Sequence, residues 1–250
     1  MAIDPVTVDG VLHERFVCRT HLMQPGESIG DVVERYLGPH VHPGDTVFVS
    51  EKAVAITEGR LVHAASVRPR WIARVISRRV RNHGYGMGLR QPVVMEMAIR
   101  EVGMIRILFC AAVGGFTRAL GRSGDFYRLA GRRVAAIDGP NRYTVPPYAF
   151  YVVLAPANPD RTSVLLSRRL GCEAAVVDTN DVGAVVLGAS PGVNRAAVEA
   201  ALRDNPMGQG HQRTPMGILR PAPSPKGRRG SSTPDRQRRR QPGRGGTRGR

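Results

Sequence analysis

Long apolar runs are absent from this chain. The longest, Ile107 to Phe116, is ten residues, about half of what a bilayer span requires. No membrane crossing is expected, and no membrane is counted among the partners. The N-terminus, MAIDPVTVDG, has no basic segment leading into an apolar one, which argues against a secretory signal and for a cytoplasmic protein. Cysteine is scarce: Cys18, Cys110 and Cys172 are an odd number, far apart, with no CxxC pair. That excludes a disulfide framework or a zinc knuckle and suits reduced thiols. No GxxxxGK[ST] or HExxH occurs, so a Walker-type nucleotide loop and a metalloprotease helix are excluded.

What is present is a globular body with a basic end. The hydrophobic fraction is 42% and the formal net charge +17 over 250 residues. Residues 221–250 hold ten Lys and Arg against Asp235 alone, which leaves +8 for residues 1–220. The same stretch is rich in Pro, Gly and Ser and has no Val, Leu, Ile, Met or aromatic residue. It has too little apolar surface to offset the entropy of ordering, so a disordered basic tail is expected there, behind one domain over 1–220.

The pattern predicts an α+β fold, with mixed sheets and flanking helices. A helix is expected over 27–38, with Ser28 as N-cap and Gly38 at its end. TVFVS and then AVAIT (53–57) read as strands rich in β-branched residues. Helical periods follow at 70–81 and 93–102, while 104–135 is apolar, glycine-broken and left unassigned. Strands are expected at 148–154, 174–177, 184–188 and 216–220. Helices are expected from Asp160 to Leu170, and from Ser190 and Pro191 to Leu202. The irregular alternation suits α+β better than a regular βαβ winding.

Four polar clusters interrupt these elements. In GDTVFVSEKAVAITEGR (44–60), Lys52 sits amid strand formers, either on a solvated face, the reading favoured on its own, or reaching for an anion. In IDGPNRYTVPPY (137–148), Gly139-Pro140 turns Asn141 back beside Asp138. A carboxylate and an amide there can hold a hard cation, although an Asx-turn is the simpler account. In VVDTNDVGAVVLG (176–188), Asp178, Thr179, Asn180 and Asp181 follow an apolar strand, where ligands gather in open sheets. Magnesium or manganese and a polar hairpin turn are equally open readings. In NPMGQGHQRTP (205–215), glycines could free backbone N–H groups for phosphates. His40 and His42 read as an exposed pair lacking a third ligand, and Cys110 as a core thiol.

Taken in order, these pieces resemble the coenzyme F420-0:L-glutamate ligase family, in its divergent ligase-like branch, over most of residues 20–220. The run through Lys52 to Glu58-Gly59-Arg60 is similar to the family's glycine-aspartate strand with its downstream lysine. DGPN resembles an Asp-x-x-Asn turn, APANPD a Pro-x-Asp-Pro-Asp segment with Asn158 in place of an acid, VVDTND a strand-ending Asp-Thr, and PMGQG with TPMGILR the closing loop and strand. Family members join glutamate to a phospholactyl deazaflavin using GTP and a divalent metal. The resemblance implies that Asp138 and Asp178 ligate one metal (Mg2+ or Mn2+) and Thr179 a second. It implies that Lys52 and Asn141 contact GTP, with Pro206, Met207, Gly208, Gln209 and Gly210 against its phosphates and Thr20, His21, Leu22 and Met23 alongside. Lys52, Asp138 and Asp178 would then carry catalysis. The implied partners are F420-0 and L-glutamate, with a second copy in a homodimer.

Two departures stand out. The stretch usual after the Asp-Thr strand is largely absent, and region 83–135 is enlarged. A non-catalytic relative binding nucleotide or deazaflavin, and weak nucleic-acid association through residues 221–250, stand as alternatives.

Overall fold

A computed structural model describes residues 1–80, 88–122, 124–141, 144–208 and 212–222. The tail expected from 221 lies almost wholly outside these residues. Among the described residues no helix is long and apolar enough to cross a membrane.

The body is built on a six-stranded sheet in the order β1 (Ala2–Val8), β2 (Val11–Cys18), β8 (Met216–Pro221), β3 (Thr46–Ser50), β6 (Glu173–Asn180) and β7 (Gly183–Ala189). Its one parallel pair is β3 with β6, in a register that sets Ser50 opposite Val177; the other neighbours run antiparallel. β3 is apolar on both sides because both faces of the sheet are covered. Val47 and Val49 pack under α1 (Ile29–Leu37) and α8 (Pro159–Leu170), while Phe48 packs on the other side with α9 (Arg195–Ala201). A small second sheet, β4 (Leu61–His63) with β5 (Tyr151–Val153), adjoins a helical lobe. That lobe comprises α3 (Trp71–Arg79), α4 (Pro92–Val102), α5 (Met104–Ala119), α6 (Asp125–Ala130) and α7 (Arg132–Ala135), and it has its own core around Met95, Ile99, Ile107 and Cys110.

The α+β class and most elements stand as expected. Ser28 caps α1 by accepting from the Asp31 N–H at 3.3 Å. Gly171 closes α8 in the left-handed region, at φ 68°. Four expectations change. AVAIT is not a strand but part of a helix, α2 (Glu51–Thr57). Ala53 to Thr57 are all buried, and in a segment covered on every side neither period shows, so β-branching misleads. Only Tyr151–Val153 of the stretch 148–154 pairs as a strand, since Tyr148–Phe150 forms a 3-10 turn. The last helix begins at Arg195, where the Asn194 side chain accepts from the Ala197 N–H at 3.2 Å; Ser190 instead takes a buried place against Glu173 and Ala174. For α8 the cap is Asn158, not Asp160, which instead accepts from Arg195 and from the Ala189 N–H. The hairpin β1–β2, turning through Asp9 and Gly10, had no counterpart in the sequence reading.

Candidate functional site

The strand order decides where the chemistry gathers. The parallel pairing of β3 with β6 ends at Ser50 opposite Val177. The next residues, Glu51 and Lys52 on one chain segment and Asp178 and Thr179 on the other, therefore emerge together, where open sheets bind ligands. β8 runs antiparallel to β3 and starts at the same end, the Ser50 N–H donating to the Pro215 carbonyl at 2.7 Å. β2 finishes there as well, Cys18 opposite Met216. Thr20–Met23 and the approach to β8 thus reach one edge without any long-range coincidence.

Asp138 arrives from outside the main sheet. Its backbone pairs with Val153 of β5 through two hydrogen bonds of 2.9 Å. The turn after it is tight: a Cβ on Gly139 would come within 2.8 Å of both the Gln91 Oε1 and a Val94 methyl. Gln91 also donates to the Pro140 carbonyl at 3.3 Å, and the Asn141 N–H to the Ala149 carbonyl at 3.0 Å. Held this way, the Asp138 carboxylate meets the Lys52 ammonium at 2.6 Å. It pairs across the cavity rather than closing an Asx-turn.

These groups line one cavity of about 1030 Å³. Thr20, His21, Leu22, Met23, Lys52, Asp138, Asn141, Asp178, Thr179, Met207 and Gly208 are all on its wall. Pro206 is not, and Gln209 and Gly210 lie outside the described residues. The Thr20–Met23 segment is pinned from three sides. The Thr20 N–H donates to the Arg213 carbonyl at 2.9 Å, the Tyr148 hydroxyl donates to the Met23 carbonyl at 2.7 Å, and the His21 ring lies between Glu27 (2.8 Å) and the Tyr36 hydroxyl (3.0 Å). Ile56, Leu89, Ile137 and Val145 add an apolar part to the wall.

The sequence reading missed two residues. Glu51 is buried at 6% exposure, and its Oε2 has no hydrogen-bond partner. Burial pushes its carboxyl well above the ordinary range, and Asp178 and Asp138 push the same way against Lys52. Arg213 lines the cavity, held at φ 53°, and no carboxylate of the described residues pairs with it. Assigning 53–57 to a strand hid Glu51; as the first residue of a helix following β3, it must share the strand-end edge with Lys52. Nothing in the loop around Arg213 marks it in the sequence.

The electrostatics are those of a crowded anionic cradle with one ammonium. Burial, then Asp138, raises the Asp178 carboxyl above its usual value, with Lys52 in part offsetting. Asp138, outweighing burial, raises Lys52 and keeps it charged. Among the described residues no group of three or more His, Cys, Asp or Glu side chains is arranged to hold a metal ion. His40 and His42 are both exposed and have no such partner. Even so, the donors at this edge are all oxygens, they repel one another, and one buried oxygen is orphaned. That chemistry fits a hard divalent cation.

A family model described as F420-0:gamma-glutamyl ligase matches residues 18–199. The chain belongs to the F420-0:gamma-glutamyl ligase family. The match takes in the cavity wall from Thr20 to Asn180 and the helical lobe, while Met207, Gly208 and Arg213 lie beyond it. No curated protein matches the chain at a significant level. Ligase activity and a role in coenzyme F420 biosynthesis are what membership implies.

Proposed function

We propose that this ligase-family member adds L-glutamate to the F420-0 deazaflavin precursor at the expense of GTP, using a divalent metal ion. The supporting observation is that Lys52, Asp138 and Asp178, distant in sequence, converge on one cavity at the end of the parallel strand pair, with Lys52 and Asp138 2.6 Å apart. The catalytic domain is taken as residues 1–220, with residues 221–250 an appended basic tail, and a cytoplasmic setting accords with use of GTP.

A carboxylate is a poor electrophile. Transfer of the γ-phosphoryl group to a carboxylate oxygen of the acceptor releases GDP and leaves an acyl phosphate; the glutamate amine then forms the amide and phosphate departs. Such transfers depend on positioning and on neutralising charge. Lys52 is placed to exchange its contact with Asp138 for the β/γ oxygens, and Arg213 offers a second cation to the same triphosphate. Asp138, Asp178 and Thr179 would hold Mg2+ or Mn2+, which supplies charge neutralisation at the phosphate oxygens when bound. Asn141, Met207 and Gly208 border the nucleotide, and Thr20–Met23 lines the same cavity. The apolar side chains of Ile56, Leu89, Ile137 and Val145 suit the flat deazaflavin ring.

The test is GDP formation by the full chain with F420-0, L-glutamate and Mg2+. Turnover that requires both the acceptor and the amino acid is expected. Nucleotide binding without turnover under any of these conditions would contradict the proposal and leave a binding protein.

A further inference from the structure

The enlarged helical lobe carries a surface that the ligase reaction does not use. α5 is amphipathic in an unusual sense: one side packs inward through Ile107 and Cys110, and the opposite side has no polar residue at all. Ile105, Phe109, Phe116 and Leu120 are 86, 59, 68 and 66% exposed, with Leu108 between them. At 100° per residue these positions, with Ala112 and Gly115, fall on one strip about 24 Å long. A contiguous exposed apolar strip of this size marks a contact surface.

Its surroundings say which kind. Residues 64–135 contain fourteen arginines against three acids, a net +11, while the rest of residues 1–220 sums to −3. All three acids are already engaged: Glu96 by Arg70 and Arg100, Glu101 by Arg60 and Arg133, and Asp125 by Arg122 and Arg128. Arg106 and Arg118 flank the strip and pair with no carboxylate among the described residues, their guanidinium groups reaching only backbone carbonyls. Two copies meeting face to face would oppose like charges. A single-helix strip would also bury on the order of 800 Å² in all, below the roughly 1,000 Å² of a specific interface. A surface that is apolar inside and negative at its rim complements both features at once.

We infer that the outer face of α5 seats on an anionic lipid surface, with Phe109 and Phe116 entering the acyl boundary and Arg106 and Arg118 at the headgroups. This asks for no spanning helix. The expectation of no membrane partner rested on the length of apolar runs, which bears on crossing alone. It is independent of the reaction proposed above.

The experiment is flotation of the full chain with phosphatidylcholine vesicles, with and without phosphatidylglycerol. The comparison is wild type, Phe109→Gln/Phe116→Gln, and Leu165→Gln as an exposed apolar control on α8 (54% exposed). All three substitutions preserve charge, so contributions from residues 221–250 stay constant. Co-flotation is expected with anionic vesicles only, reduced by salt, lowered at least about tenfold in the double variant and unchanged in the control, with equal thermal midpoints. Binding unchanged in the double variant would overturn the inference. So would absence of binding, or a dimer in solution that the double variant dissociates.

Discussion

At the scale of single residues, the site is a contest between one ammonium and three carboxylates. Lys52 stays charged because Asp138 faces it at 2.6 Å. Lys52→Met is therefore expected to keep the fold and cut GTP turnover by about a hundredfold or more, the usual scale for losing one charge stabiliser of a transition state; steady-state GDP release checks this. Glu51 works in the opposite direction. Its folded pKa is raised, chiefly by burial, so the folded state holds the proton more tightly than the unfolded one and stability is lost as pH rises above about 4.3. Glu51→Gln is expected to stabilise the metal-free protein at pH 8, with the gain vanishing near pH 4, as read from denaturant midpoints at the two pH values. Asp138 in a turn and Asp178 at a strand end were legible as residue types, whereas Lys52, read amid strand formers, was brought to the site by the family resemblance. Glu51 was not, because a buried acid beside a lysine is indistinguishable in sequence from a solvated pair.

At the scale of elements, the parallel pair β3–β6 is what turns separate motifs into a site. Its strength rests on residues such as Phe48, which is fully buried in the centre of the sheet. Phe48→Ala is expected to cost about 3–5 kcal/mol, measurable by urea unfolding, and to damage the cavity indirectly. In the lobe, Glu96 ties α3 to α4: it is 2% exposed and accepts from Arg70 at 3.0 Å and Arg100 at 3.1 Å. Burial works to raise its carboxyl, but the hydrogen bonds from Arg70 and Arg100 outweigh it and hold it below the ordinary value. Its stabilisation is thus present above about pH 4.3 and lost as pH falls through the folded value. Glu96→Gln is expected to lower the urea midpoint at pH 7, with the difference shrinking as the pH is brought down through the folded value. β3 and β6, and α1 with its Ser28 cap, could be read in advance because local chemistry specifies them, whereas the hairpin β1–β2 was missed. α2 and the lobe helices α5 to α7 could not. They are covered or exposed in patterns set by neighbours, so neither a period of 2 nor of 3.6 marks them.

At the scale of the whole molecule, the family match covers residues 18–199, and the fold gathers that span around one cavity while concentrating positive charge in the lobe. The sequence order of the motifs carried the family resemblance, and the basic bias of residues 64–135 can be counted in the chain, whereas the lobe that gathers it emerges only on folding. The claim on which the rest depends is that Asp138 and Asp178, forty residues apart, act as one site. Manganese binding to wild type, Asp138→Asn, Asp178→Asn and the double variant, followed by titration calorimetry with GTP present, addresses it directly. The expected result is that either single substitution removes most of the binding and the double removes little more. Independent, additive losses, or full binding in either single variant, would contradict it.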